Sequence, residues 1–275
     1  MKISHLNFIQ KEWKAILLIF LISAILFIIF CLPSDVKETL ILHRDYVTPI
    51  NIFTNHFVHE EFIHITFNTI SYIIIVLLLW ILCYILQKKK IFYKLFLINL
   101  TIVPIGISLI WLPVNRFIWV GAQRVYGFSG IVSSFCGILI YTYILLLHEK
   151  LKVNKTYAYI SSLTFIPLLF SLIYWKFSIT NLLIIFCLLV VFLFTSYQTV
   201  KSVNKKYEDN LTRTCKKLKL GKSSVFILYL LIFLFSLALF PRNFIYGDVA
   251  INFFIHYTGF IIGIVVGFLV YFISL

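Results

Sequence analysis

Three groups of polar residues in this chain are of types that could together do covalent chemistry. They are His59, His64 and Asn68; the tetrad Gly127-Phe128-Ser129-Gly130; and His256 followed by Gly259, Gly263 and Gly267. Each group stands at the start of a long apolar stretch, where hydrocarbon makes a polar side chain costly and a functional role the default explanation. Serine is a poor nucleophile until a base takes its proton, and an imidazole with a pKa near ~6.5 is suited to do so at neutral pH. Ser129 and His256 offer that pair. Attack on an amide carbonyl builds an oxyanion, and each fixed donor aimed at it in a dry site is worth on the order of 3 kcal/mol. His64 and Asn68 are spaced i,i+4 and so project from one helix face. With the backbone N–H of Ser129 at a helix N-terminus, they form a candidate oxyanion site.

The elements that must position these groups are membrane helices. A 275-residue chain that is 61% hydrophobic and only 12% charged is not an ordinary soluble domain. Crossing a ~30 Å hydrocarbon core takes roughly 20 helical residues, and about eight apolar runs reach that length. They lie near 13–33, 60–86, 91–112, 128–147, 157–175, 179–198, 223–240 and 250–273. None alternates as a strand would, so helices and not a barrel are expected, because only closed structures satisfy their backbone groups in lipid. The predicted fold is all-α, a polytopic bundle of about eight transmembrane helices.

The net charge of +14 is a topology signal more than a nucleic-acid footprint. Lys2, Lys11 and Lys14 precede the first run; Lys88, Lys89 and Lys90 follow the second; Lys150, Lys152 and Lys155 follow the fourth. The 199–222 segment after the sixth is the most basic of all. Under the positive-inside rule both termini are cytoplasmic, 199–222 is a cytoplasmic loop, and runs two, four and eight enter from outside. That loop can also touch anionic lipid headgroups. The N-terminal stretch has no small-x-small cleavage site and reads as an uncleaved signal anchor. Only about three residues around Lys176 separate runs five and six, so 157–198 reads as a tight hairpin, insertable without inverting anything downstream. No disulfide framework or metal-ligand spacing emerges from Cys31, Cys83, Cys136, Cys187 and Cys215, and no cofactor is implied.

This topology brings the polar groups to one depth. Ser129 falls in the first turn of its helix, and His256 about 9 Å along its own at ~1.5 Å per residue from Ala250. Gly259, Gly263 and Gly267 recur every fourth residue and make a smooth face that a neighbouring helix can approach closely; Gly130 and Gly137 offer a matching surface. Such an approach would bring His256 within reach of Ser129. His56 and His59 read as hydrogen-bonding anchors of the preceding loop, and Asn99 and Asn181 as helix-to-helix glue. A zinc site is the rival at His59-Glu60-Glu61 and His64, but the zinc-protease helix needs its histidines at i and i+4. On a helix, residues five apart turn away from each other, and no metal is expected.

These residues resemble the rhomboid family of intramembrane serine proteases. The likeness rests on His59-x4-His64-x3-Asn68, on Gly127-x-Ser129-Gly130 with Gly137, and on His256-x2-Gly259-x3-Gly263, in the family's order. It implies Ser129 as nucleophile, His256 as general base and acid, and His64 with Asn68 as oxyanion donors. His59, Gly127, Gly130, Gly259 and Gly263 would be structural around the site. It further implies a six-helix core, to which 157–198 would be an inserted hairpin, with 223–240 as the mobile helix beside the active site. The partners implied are transmembrane protein substrates and membrane lipids, with no nucleic acid, in a prokaryotic cell membrane. The chain departs from the family's pattern in three ways. It has more helices than six; Ile50 and Asn51 stand where a Trp-Arg pair is common; and Ser133 stands where an aromatic often stacks on the histidine. An inactive rhomboid-like protein that binds transmembrane helices of client proteins is the alternative. A transporter is a third reading, but it would carry its polar site at the bilayer centre.

Overall fold

A computed structural model describes residues 5–117, 123–151, 153, 179–201, 245–246, 249–250 and 253–273. In chain order the described helices are α1 (His5–Phe30), α2 (Ser34–Leu40), α3 (Pro49–Thr54), α4 (Phe62–Ile85), α5 (Lys89–Phe117), α6 (Ser129–Leu151), α7 (Ile179–Lys201) and α8 (Phe253–Ile273). Five of them contain apolar segments long enough to cross a membrane: Trp13–Phe30, Phe62–Ile85, Lys89–Phe117, Ser129–Lys150 and Phe254–Ile273. The protein is therefore a polytopic helical membrane protein by length and composition. α7 carries a shorter apolar segment, Ile185–Thr199. The predicted spans 157–175 and 223–240 lie outside the described residues, as does nearly all of the 199–222 loop.

α6 is the central helix, with side chains buried on every side from Ser129 to Ile140. An apolar helix with no polar face fits there, because neighbours cover its whole circumference. α8 makes its most extensive contact with α6; α4 and α5 also pack on α6, and α1 lies against α4. The surrounding helices turn residues such as Leu17, Ile28, Phe67, Leu97 and Phe268 outward, an apolar exterior suited to lipid. The core joins Tyr72, Val76 and Leu79 of α4 to Phe128, Phe135 and Leu139 of the α6 region and Phe260 of α8.

Local rules explain the joints. α4 ends in a Schellman motif: Lys88 N–H bonds the Cys83 carbonyl at 2.8 Å and Gln87 N–H the Tyr84 carbonyl at 3.0 Å. Gln87 sits at φ +61, the left-handed position such an ending needs. Lys88 then pairs with Glu149 at 2.7 Å and lies over the Tyr271 ring, tying together the C-terminal ends of α4, α6 and α8.

The segment between α1 and α4 contains two short α-helices, a strand and a 3-10 turn at Asn55–Phe57. Thr48 and Asn51 form a reciprocal capping box at the start of α3. β1 (Leu42–His43) pairs antiparallel with β2 (Arg124–Val125), register Leu42 to Val125, and this joins the segment to the approach to α6. The pairing is reinforced outside by Arg124, which bonds Glu60 at 3.1 Å and Glu38 at 3.4 Å. A second small pair, β3 (Ile245–Tyr246) with β4 (Val249–Ala250), precedes α8. Because β4 takes Ala250, α8 starts at Phe253, so His256 lies in its first turn and not the two turns down that a start at Ala250 gave. Ser129 is the first residue of α6.

Candidate functional site

The site is set by how closely α6 and α8 approach. A Cβ added at Gly259 would collide with the Gly130 carbonyl oxygen, and one added at Gly263 with that of Ser134. From the other side, a Cβ at Gly137 would collide with the Phe260 carbonyl, and one at Gly130 would stand 2.6 Å from Ile255 Cγ2. The two glycine faces thus meet backbone to backbone along two turns, as small residues permit between membrane helices. Ser129 adjoins Gly130 and His256 lies one turn before Gly259, so the contact holds both in the same buried layer; each is 7% exposed. His256 Nδ1 lies 3.5 Å from the hydroxyl of Ser133, one turn after Ser129 on α6.

The histidine–asparagine group builds the wall above this layer. His59 Nε2 accepts two hydrogen bonds, from Asn68 Nδ2 at 3.0 Å and from the Phe128 backbone N–H at 3.3 Å. A nitrogen that accepts two donors carries no proton, so His59 is neutral with its proton on Nδ1. Burial pushes its pKa down to about 3, the nearby His64 adds to this, and the Phe57 carbonyl offsets it in part. His59 therefore holds the turn into α6 through its two accepted hydrogen bonds. One of Asn68's two amide hydrogens is occupied by this bond.

His64 stands in the first turn of α4, half-buried, with its ring against the turn before Ser129. A Cβ on Gly127 would lie 3.2 Å from His64 Cε1, and Gly127 adopts φ +116, a conformation side-chain-bearing residues rarely take. Both reasons require glycine there. The rings of His59 and His64 lie edge to face at 5.0 Å, which corrects the expectation that they turn away from each other. That expectation placed both on one helix; α4 starts at Phe62, so His59 approaches from the preceding extended segment. Among the described residues no group of three or more His, Cys, Asp or Glu could hold a metal ion.

The chain ahead of α4 is anchored into the bundle. His56 Nε2 lies 2.9 Å from the Pro104 carbonyl and 3.0 Å from Ser108 Oγ on α5. Asn55 reaches Ser108 Oγ at 3.0 Å, and its own carbonyl accepts the Gly127 N–H at 3.0 Å. Burial pushes the His56 pKa down to about 4. Nearby, the Tyr126 hydroxyl donates to Glu60 at 2.7 Å; burial, then that carboxylate, holds its pKa well above the phenol value. Deeper, Asn99 of α5 donates to the Ile131 carbonyl at 3.2 Å and accepts from Ser134, joining α5 to α6.

The Gly127 and Phe128 amides are thus spent on holding the turn, whereas those of Ser129 and Gly130 belong to the first helical turn, whose N–H groups have no partner within the helix. Donors at the α6 N-terminus, a half-buried imidazole and a buried Ser and His therefore share one end of the bundle. Such a cluster can stabilise developing negative charge and move a proton. Asn55, Ser108 and Ser133 were not among the residues singled out as partners; only the missing aromatic at position 133 gave a sign. No protein family, curated protein or solved structure matches this chain.

Proposed function

We propose that this protein is an intramembrane serine endopeptidase of rhomboid type, which cleaves transmembrane segments of other membrane proteins near the outer membrane face. The observation that carries the reading is the backbone contact of Gly259, one turn after His256, with Gly130, the residue after Ser129, which packs the starts of α6 and α8 together. In this mechanism Ser129 Oγ attacks the scissile carbonyl as His256 takes its proton. His64, an N–H of Asn68 and the Ser129 amide hold the oxyanion. His256 then protonates the leaving amine and activates the water that releases the acyl-enzyme. A substrate helix must unwind locally before its amide can be reached, so small or helix-breaking residues near the cut are expected. In the corresponding core, 157–198 is an inserted hairpin of which α7 is the second helix.

The runner-up is an inactive rhomboid-like protein that binds client transmembrane helices. The bond that commits one Asn68 donor to His59 favours it, since it leaves a single N–H of that amide for an oxyanion. A fluorescent fluorophosphonate on the purified protein separates the two. Labelling of wild type that is lost in both Ser129→Ala and His256→Ala supports the protease; equal labelling of wild type and Ser129→Ala contradicts it.

A further inference from the structure

We propose that Ser133 is the positioning residue of His256, accepting a hydrogen bond from Nδ1–H so that the imidazole presents a bare Nε2 to Ser129. The inference rests on the protease reading and extends it from a dyad to a chain of three groups. Ser133 Oγ lies 3.5 Å from His256 Nδ1, and both residues are buried, Ser133 completely. Ser129 and Ser133 are spaced i,i+4, so they project from one face of α6. That face meets α8, because Gly130 and Ser134, the residues following each serine, are the ones whose carbonyls abut Gly259 and Gly263. The close packing holds the ring's place along α6: Ile255, just before His256, lies against Gly130, and Gly259 and Gly263 after it sit on the Gly130 and Ser134 carbonyls, so sliding α8 would bring bulkier residues against those carbonyls.

The tautomer decides whether His256 can act. A neutral imidazole has one bare nitrogen. If Nδ1 is bare, Nε2 carries the proton and cannot take one from Ser129. If Nδ1–H donates to Ser133 Oγ, Nε2 is the base. A serine within a helix can give its own hydroxyl proton to the carbonyl four residues back, here Ser129's, which frees its oxygen to accept. When His256 becomes imidazolium in the transition state, the Nδ1–H bond becomes charge-assisted and shortens. A 3.5 Å separation at rest leaves room for that tightening.

The test measures the rate constant of fluorophosphonate labelling for wild type, Ser129→Ala, Ser133→Ala and Ser133→Thr in one detergent. It is joined by 15N NMR of histidine-labelled wild type and Ser133→Ala. Ser133→Ala should label about ten- to hundredfold more slowly, the span expected for one hydrogen bond to a charged group. Ser133→Thr, which restores the hydroxyl, should recover most of the rate. The His256 signal should report Nδ1–H in wild type and a mixed tautomer in Ser133→Ala. Wild-type labelling that depends on Ser129 yet is unchanged in Ser133→Ala overturns the role of Ser133 and leaves the dyad standing. An Nε2–H tautomer in wild type overturns it whether or not the variants fold. Labelling that does not depend on Ser129 overturns the dyad itself, and this inference with it.

Discussion

Gly259→Ala puts the α6–α8 contact under direct strain. An alanine Cβ there would stand 2.9 Å from the Gly130 carbonyl carbon and 3.2 Å from its Cα, with the oxygen closer still. Relaxed contacts between non-bonded carbons are ~3.5–4.0 Å, so the helices must part by roughly 1 Å at this point. The obstructing atoms are backbone and cannot rotate aside. Overpacking of this kind costs about 1–3 kcal/mol. The same displacement carries His256, one turn away on α8, off the α6 face, and a misplacement of ~1 Å lowers a reaction rate on the order of a hundredfold. Thermal unfolding in detergent and the fluorophosphonate rate constant should therefore both fall. Two comparators isolate the cause. Gly106→Ala would place its Cβ 3.8 Å from Ile262 Cδ1, an ordinary contact, and should leave both readouts unchanged. Gly267→Ala would meet Tyr141 Cδ1 at 3.1 Å and its Cβ at 3.2 Å, a milder overlap than the backbone oxygen that faces Gly259, and should lose less stability than Gly259→Ala. A Gly259→Ala protein with the wild-type midpoint and labelling rate would refute the reasoning.

Stability should fall in mild acid. His56 is held neutral by burial with a pKa of about 4 against 6.5 in the unfolded chain, so the unfolded state takes up the proton first as pH drops. The stability present above pH 6.5 is lost down through about 4, to about 3 kcal/mol from this residue. His59, at about 3, extends the loss lower in pH. The unfolding midpoint measured at pH 7.5, 6 and 5 should decline steadily, and a flat profile would contradict the buried neutral histidines. His56→Gln should lower the midpoint at pH 7.5, through its lost ring contacts with Pro104 and Ser108, yet give a shallower acid slope than wild type.

Much of this architecture was written in the chain at the level of pattern. Apolar runs gave the spans that α1, α4, α5, α6 and α8 occupy, because length and hydrophobicity alone specify a membrane helix. The four-residue period of Gly259, Gly263 and Gly267 pointed to a close helix contact, and Gly130 is one of the residues it meets. What escaped was local and polar. The β1–β2 pairing spans only two residues per strand, too short to leave a period-two signal. His56 reaches Pro104 and Ser108 about fifty positions away, a contact no spacing rule carries. The start of α8 was missed by three residues because Val249, Ala250 and Ile251 are already apolar, while a strand pairing takes Val249 and Ala250. His59 and His64 meet for a related reason, since the helix boundary between them falls at Glu61, which makes no side-chain cap bond and is not one of the serine, threonine, asparagine or aspartate caps that mark a helix start. Ser133 was visible only as an aromatic's absence, and its reach to His256 depends on the rotation of α6 against α8.

The central claim is that Ser129 cuts membrane-embedded peptide bonds. Its most direct measurement uses the full-length protein in liposomes with a fluorescent transmembrane reporter helix carrying a glycine-rich segment near its outer end, read by mass spectrometry of the fragments. The account predicts one cut within or beside that segment by wild type and none by Ser129→Ala at equal expression and equal thermal midpoint. Fragments of the same mass and amount from Ser129→Ala would contradict it.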